Sequence, residues 1–276
     1  SLDRPLSSIR QAEALLAAAL AGCILPDGGP RNRNAGAAVR IAADLIPLLA
    51  LYRARQLAAP DDLAPNLLRM IGFIRMMQHP DGGLALFSGA GLVTRDLVAQ
   101  VTRFGAGRVA RLDSAPDSGF ERLEDEYGIV IADTGRVPPP AFAGQAGASA
   151  LAFEFSTKSD RLIVNCGMPP SAEGEIAQSY RTGAAHSTVL VDDLALATVE
   201  VAEDRLGRAE MRVHASEDGM AAQRASEDGR ESLPIGHAGL RGSLGYVLER
   251  QFTLLPEGGG LMGTDRAIDP DGRAQI

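Results

Sequence analysis

Asp113-Ser-Ala-Pro-Asp-Ser-Gly119 divides this sequence into two parts of different periodicity. Small polar residues, a proline and a glycine offer no apolar face to bury, so the stretch reads as a connector. Toward the N-terminus, apolar residues recur at helical spacing. Toward the C-terminus, they alternate with period two.

On the helical side, Ile9 to Ile24 is rich in Ala and Leu on most faces, as in a helix packed among helices. Leu25-Pro-Asp-Gly-Gly-Pro30 breaks it. Asn34 stands at an N-cap position before a second helix, Ala35 to Gln56, whose stripe is Val39, Ala42, Leu45, Ile46, Leu49 and Tyr52. Pro47 within this run predicts a kink or a split. A third helix is expected from about Asp61, a plausible cap, to Gln78. It carries Leu63, Leu67, Met70, Ile71, Ile74 and Met77 and ends at the loop His79-Pro-Asp-Gly-Gly83. A weaker fourth helix covers Val93 to Arg103.

On the other side, Leu151, Phe153 and Phe155 alternate with Ala152 and Glu154, and Val189 and Val191 flank Leu190. Met211 and Val213, then Tyr246, Leu248, Phe252 and Leu254, continue the pattern. Asp218-Gly219, Asp228-Gly229, Gly258-Gly259-Gly260 and Asp271-Gly272 read as turns. Ala215-Ser-Glu-Asp-Gly219 recurs at Ala225-Ser-Glu-Asp-Gly229, which reads as two similar turns. Helices followed by short antiparallel strands predict an α+β multidomain chain: residues 1–105 helical, residues 106–276 a sandwich.

The 276 residues are 45% hydrophobic, enough for a substantial core. The net charge of −8, without a Lys/Arg cluster, argues against a nucleic-acid partner. Aromatics are 4% and Trp is absent, which removes the commonest sugar-stacking side chain. Cys23 and Cys166 form no disulfide framework or Cys-x-x-Cys metal pattern and are expected as buried free thiols. No stretch reads as a bilayer span. No cofactor is implied. The chain begins at Ser and stops just after an Asp-Gly turn, and it reads as a fragment of periplasmic or cytoplasmic origin. A truncated helical array would expose Leu45/Leu49 and Ile71/Ile74 and so lower solubility.

Several strings, in order, resemble the heparinase II/III-like proteins, of an alphaproteobacterial type. Asp27-Gly-Gly-Pro-Arg-Asn-Arg33-Asn34 resembles the Asp-Gly-Gly-His-x-x-Arg-Asn turn of that family. His79-Pro-Asp-Gly-Gly-Leu-Ala-Leu-Phe-Ser-Gly89 is similar to the loop after its next helical hairpin. Leu151-Ala-Phe-Glu-Phe-Ser156, Val164-Asn-Cys-Gly167 and Arg181-Thr-Gly-Ala-Ala-His-Ser-Thr-Val189 resemble successive strands of its sandwich. His237-Ala-Gly-Leu240 and Val247-Leu-Glu-Arg250 resemble a later strand pair. The resemblance implies the end of an (α/α) toroid followed by an antiparallel β-sandwich. It also implies a polysaccharide lyase that cleaves a uronate-containing glycan by β-elimination.

That chemistry needs a group to neutralise the uronate carboxylate, a base for the adjacent proton and an acid for the leaving oxygen. Each positioned acid or base contributes roughly 10²–10⁴-fold. The resemblance assigns Asn34 to the carboxylate and His186 to the proton; Tyr180, just upstream of His186, is the candidate for the missing phenol. Arg33, His79, Arg181 and His237 are candidate substrate contacts, although His79 also suits a helix C-terminus, where a cation meets the dipole. The sequence departs from the family at Pro30, at Gly147 to Ser149, at Leu248 and at Asn165, positions where His or Asp is usual. Phe87 fills the slot of a toroid Tyr. A His/Asp zinc site is therefore not expected. The partner is either an acidic glycan that is cleaved or, with those groups lost, a glycan or envelope component that is only bound. A purely structural, protein-binding role is the third reading.

Overall fold

The computed structural model describes residues 6–91, 93–191, 194–203, 209–215, 220–227, 230–269 and 274–275. Four helices come first: α1 (Leu6–Cys23), α2 (Ala35–Ala54), α3 (Leu63–Met76) and α4 (Arg95–Phe104). The Asn34 carboxamide accepts a hydrogen bond from Ala37 N at 3.1 Å and caps α2, as its position predicts. Thr94 caps α4 in the same way. Asp61 caps nothing: Asp62 occupies the N-cap position of α3, without a side-chain bond. Pro47 does not split α2, which continues through it as one helix. This 20-residue helix is long and apolar enough to cross a membrane by length and composition, contrary to the sequence expectation. Here its Ala38, Val39 and Ala42 are fully buried against the other helices.

Strands follow. Five form one antiparallel sheet in chain order: β1 (Ser114–Ala115), β2 (Phe120–Glu124), β3 (Gly128–Asp133), β4 (Phe153–Thr157) and β5 (Arg161–Ile163). A short helix α5 (Gly174–Ser179) and two hairpins come next, β6 (Leu190–Val191) with β7 (Leu194–Ala195) and β8 (Ala197–Glu203) with β9 (Ala209–Ala215). The last sheet contains β10 (Met220–Ala222), β11 (Ala225–Glu227), β12 (Arg230–His237), β13 (Val247–Leu255), β14 (Gly260–Ile268) and β15 (Ala274–Gln275). The Gly258-Gly259-Gly260 turn joins β13 to β14. The turns expected at Asp218-Gly219, Asp228-Gly229 and Asp271-Gly272 lie outside the described residues. Val164 to Gly167 and His186 are not in strands. The former is irregular, and the latter follows a 3₁₀ turn at Gly183–Ala185.

The five-stranded sheet is covered on both faces, and β3 shows it residue by residue. Ile129 and Ile131 join the core built with the helices, while Val130 and Ala132 join the core shared with the last sheet. Alternation along a strand sends neighbours to opposite faces, so a strand buried on both sides is apolar throughout. Phe120, fully buried, lies 6.1 Å from Phe73 and 5.4 Å from Phe87 and ties β2 to the helices. Each such side chain contributes roughly 1.5–3 kcal/mol through its burial. Leu45, Leu49, Ile71 and Ile74, expected on an exposed helix face, all lie in this core. Among the described residues, the large apolar side chains exposed in the helical part are Ile9, Leu15, Leu51 and Leu57. Both thiols are exposed, not buried, because Cys23 ends a helix and Cys166 sits in irregular chain.

Candidate functional site

The two Pro-Asp-Gly-Gly turns are the same structure used twice. In the first, Leu25 N donates to Gly29 O at 2.8 Å and Gly28 N to Leu25 O at 2.9 Å. In the second, His79 N donates to Gly83 O and Gly82 N to His79 O, both at 2.9 Å. Asp27 accepts from Gly29 N, and Asp81 from Gly83 N. Gly28 and Gly82 have φ of +88° and +80°, the left-handed region that glycine enters without steric cost. Each turn then docks on the strand region through its Asp. Asp27 accepts from Ser118 N and Ser118 Oγ at 2.6 Å each. Asp81 accepts from Arg161 at 2.9 and 3.1 Å and from Arg95 at 2.6 Å.

Arg33 follows the first turn with φ +60°. Its guanidinium is buried, donates to Ser118 O at 2.7 Å and Gly119 O at 2.9 Å, and forms a buried ion pair with Asp133 at the end of β3. Ser149 Oγ donates to the other Asp133 oxygen at 2.7 Å. Asn34 is 1% exposed. Beyond its cap, its Nδ2 faces Gln145 Oε1 at 3.5 Å, at the end of the 3₁₀ segment Pro140–Gln145.

The same loop covers His186. Its Nδ1 lies 2.9 Å from Thr182 O, so Nδ1–H donates to that carbonyl and Nε2 is left as the acceptor. The ring packs on Gly147, where a Cβ would lie 2.8 Å from Cε1 and 3.1 Å from Nε2. Burial pushes the His186 imidazole below its ordinary pKa, against the Thr182 carbonyl and the charges of Asp133 and Glu154. Arg181 props this loop from beneath. Nε donates to Ala146 O at 2.6 Å and Nη2 to Ala143 O at 2.9 Å, while Nη1 is buried with no partner among the described residues. Tyr180 stands at the C-terminal cap of α5, half-buried.

His79 does not cap α3. It lies in a fully enclosed site with Nε2 2.9 Å from Glu154 Oε2 and Nδ1 2.8 Å from Ser156 Oγ. His237 is also buried, near the end of β12, where Nδ1 accepts from Gly239 N at 2.8 Å; burial depresses its pKa. Arg33, His79, Arg181 and His237 are thus each buried and bonded to protein groups. The partners of Arg33 (Ser118, Gly119 and Asp133) and of His79 (Glu154 and Ser156) carry no sequence signal. Arg250, on β13, likewise pairs with Asp265 and donates to the carbonyls of Leu151 and Ser187. Among the described residues no group of three His, Cys, Asp or Glu is placed to hold a metal ion.

Beside the Arg33–Asp133 pair opens a cleft of about 410 Å³. It is lined by Leu25, Arg31, Asp117, Thr134, Arg136 and the prolines at 116, 138 and 139. Its floor is bare backbone, for a Cβ on Gly119 would lie 2.0 Å from Gly135 Cα.

A family model described as "Heparinase II/III-like, C-terminal" matches residues 107–275. Among curated proteins, FtsZ-localized protein C of Caulobacter vibrioides is 33% identical over 170 residues, which is 62% of this chain and 29% of that protein. Among solved structures, the heparinase III BT4657 gene product superposes with a TM-score of 0.68 at 13% identity, over 94% of this chain and 41% of that one. Heparan sulfate lyase HepC from Pedobacter heparinus superposes with a TM-score of 0.68 at 14% identity, over 96% and 42%. The chain therefore spans less than a third of the curated relative and about two-fifths of these structures.

Proposed function

The chain belongs to the heparinase II/III-like family, and from that premise we propose that it is a glycan- or envelope-binding member whose lyase site has closed. Its scaffold is polysaccharide-lyase-like. On this reading residues 1–105 are the last helices of an (α/α) toroid and residues 106–276 an antiparallel sandwich. The observation that carries it is the enclosure of Asn34, 1% exposed and held between its own helix and Gln145. With Asn34 enclosed, the group that the resemblance assigns to the uronate carboxylate does not face a ligand, and proton abstraction beside that carboxylate is disfavoured. Gly147, Leu248 and Asn165 stand where the family resemblance puts His or Asp, which supports the same conclusion. So does likeness to a protein named for FtsZ localisation rather than for glycan cleavage.

The second reading is a working lyase, which His186 favours: its Nδ1–H is fixed by Thr182 O and its Nε2 is free to act as a base. Tyr180 would then return the proton. Incubation with heparan, chondroitin, hyaluronan and alginate separates the two. The binding reading expects retention of a glycan and no unsaturated-uronate absorbance. A sustained ultraviolet rise that disappears in His186→Ala would overturn it.

A further inference from the structure

Resting on the binding reading, we propose that Arg31 and Arg136 hold the carboxylate or sulfate of an acidic sugar unit in the cleft beside Gly119 and Gly135. Arg33, which also lines it, is neutralised by Asp133 and fixes the floor through Ser118 O and Gly119 O. Arg31 and Arg136 differ. Neither makes a side-chain hydrogen bond or ion pair among the described residues, and neither do Asp117 and Thr134 on the same wall. In a chain of net charge −8, two guanidinium groups that line one cleft without an acceptor among the described residues are an anion site, since each presents several donors.

The rest of the lining specifies more than an inorganic anion. The Asp117 carboxylate and Thr134 hydroxyl offer acceptors suited to sugar hydroxyls, and Pro116, Val137, Pro138 and Pro139 form an apolar wall against a ring face. The volume of about 410 Å³ falls within the range of small-ligand sites, roughly 300–1,000 Å³. A lining that combines guanidinium donors, a carboxylate and a hydroxyl as acceptors, and apolar proline and valine surface matches a uronate or sulfated sugar. The substitutions that test this lie on side chains no structural bond uses.

Titration calorimetry with digalacturonate, a sulfated chondroitin disaccharide, cellobiose and a polyglutamate peptide tests the assignment. We expect binding of an acidic disaccharide but not cellobiose, weakened about tenfold by Arg31→Gln and again by Arg136→Gln, and unchanged by Arg266→Gln. Preference between the uronate and the sulfated disaccharide identifies the anion. A glycan bound equally well by the Arg31→Gln/Arg136→Gln double variant would overturn the cleft and leave the binding reading intact. Failure of every glycan to bind would overturn both. Tighter binding of polyglutamate than of any sugar would make the cleft a peptide site and refute the sugar assignment.

Discussion

His79 and Glu154 meet 2.9 Å apart inside the protein, 75 residues apart in sequence and both fully enclosed. Glu154 also accepts from Leu86 N at 2.8 Å and from Asn165 N and Nδ2 at 3.1 and 3.2 Å. One carboxylate thus fastens the second Pro-Asp-Gly-Gly turn, the segment after it and the loop beyond β5. Removing one member of a buried pair strands the other, at a cost of about 3–5 kcal/mol. His79→Ala is expected to lower unfolding stability by that amount in urea titrations, with Glu154→Gln milder at roughly 1–3 kcal/mol. A loss below about 1 kcal/mol in His79→Ala would show that the pair does not fasten the turn.

The duplicated turn allows a controlled comparison. A Cβ at Gly28 would lie 2.2 Å from Arg69 O, whereas at Gly82 nothing lies within 4 Å. Gly82→Ala meets only the left-handed backbone cost, on the order of 1 kcal/mol. Gly28→Ala must also displace the backbone of α3, which adds roughly 1–3 kcal/mol. Equal melting temperatures for the two variants would contradict this packing.

Acid stability should show two windows. Burial depresses His186 and His237, so the folded state holds fewer protons there than the unfolded chain. Stability is full above the ordinary imidazole value near 6.5 and declines as pH falls below it. Asp81 acts lower: burial raises its carboxyl, but Arg161, Gly83 and Arg95 outweigh this and bring it from 3.8 to about 2. Its contribution is present above 3.8 and is lost as pH falls toward 2. Urea midpoints measured against pH should lose the lower step in Asp81→Asn and keep the upper one.

Asn34 separates structure from chemistry. Asn34→Ala removes the α2 cap and is expected to cost roughly 0.5–2 kcal/mol while leaving glycan retention unchanged. Asn34→Asp, which keeps the cap, should be close to the parent in stability. If the cap-preserving variant lost all glycan affinity, Asn34 would belong to the ligand surface after all.

Local signals carried most of the architecture. The first four helices were legible from their apolar residues, and the α2 cap from Asn34, because cap and stripe depend on neighbours within a turn or two; the short α5 was not. The resemblance places His186 in a strand, but Gly183 to Ala185 turn just before it, and the Thr182 carbonyl holds its ring. His79 was read as a helix cap because its partners, Glu154 and Ser156, lie on a strand more than seventy residues away.

By itself, the sequence determined the order of helices and strands and the two Asp-Gly-Gly turns, since periodicity and turn chemistry are local properties of the chain; the family was legible through the resemblance of its ordered strings. Only the tertiary structure decided which polar residues were internal struts and which still faced an open cleft. Arg33 and Arg31 stand two positions apart, yet one is matched by Asp133 and the other by nothing among the described residues. A charge is neutralised by whatever the fold brings within a few ångströms, and that distance is set by packing rather than by sequence neighbourhood.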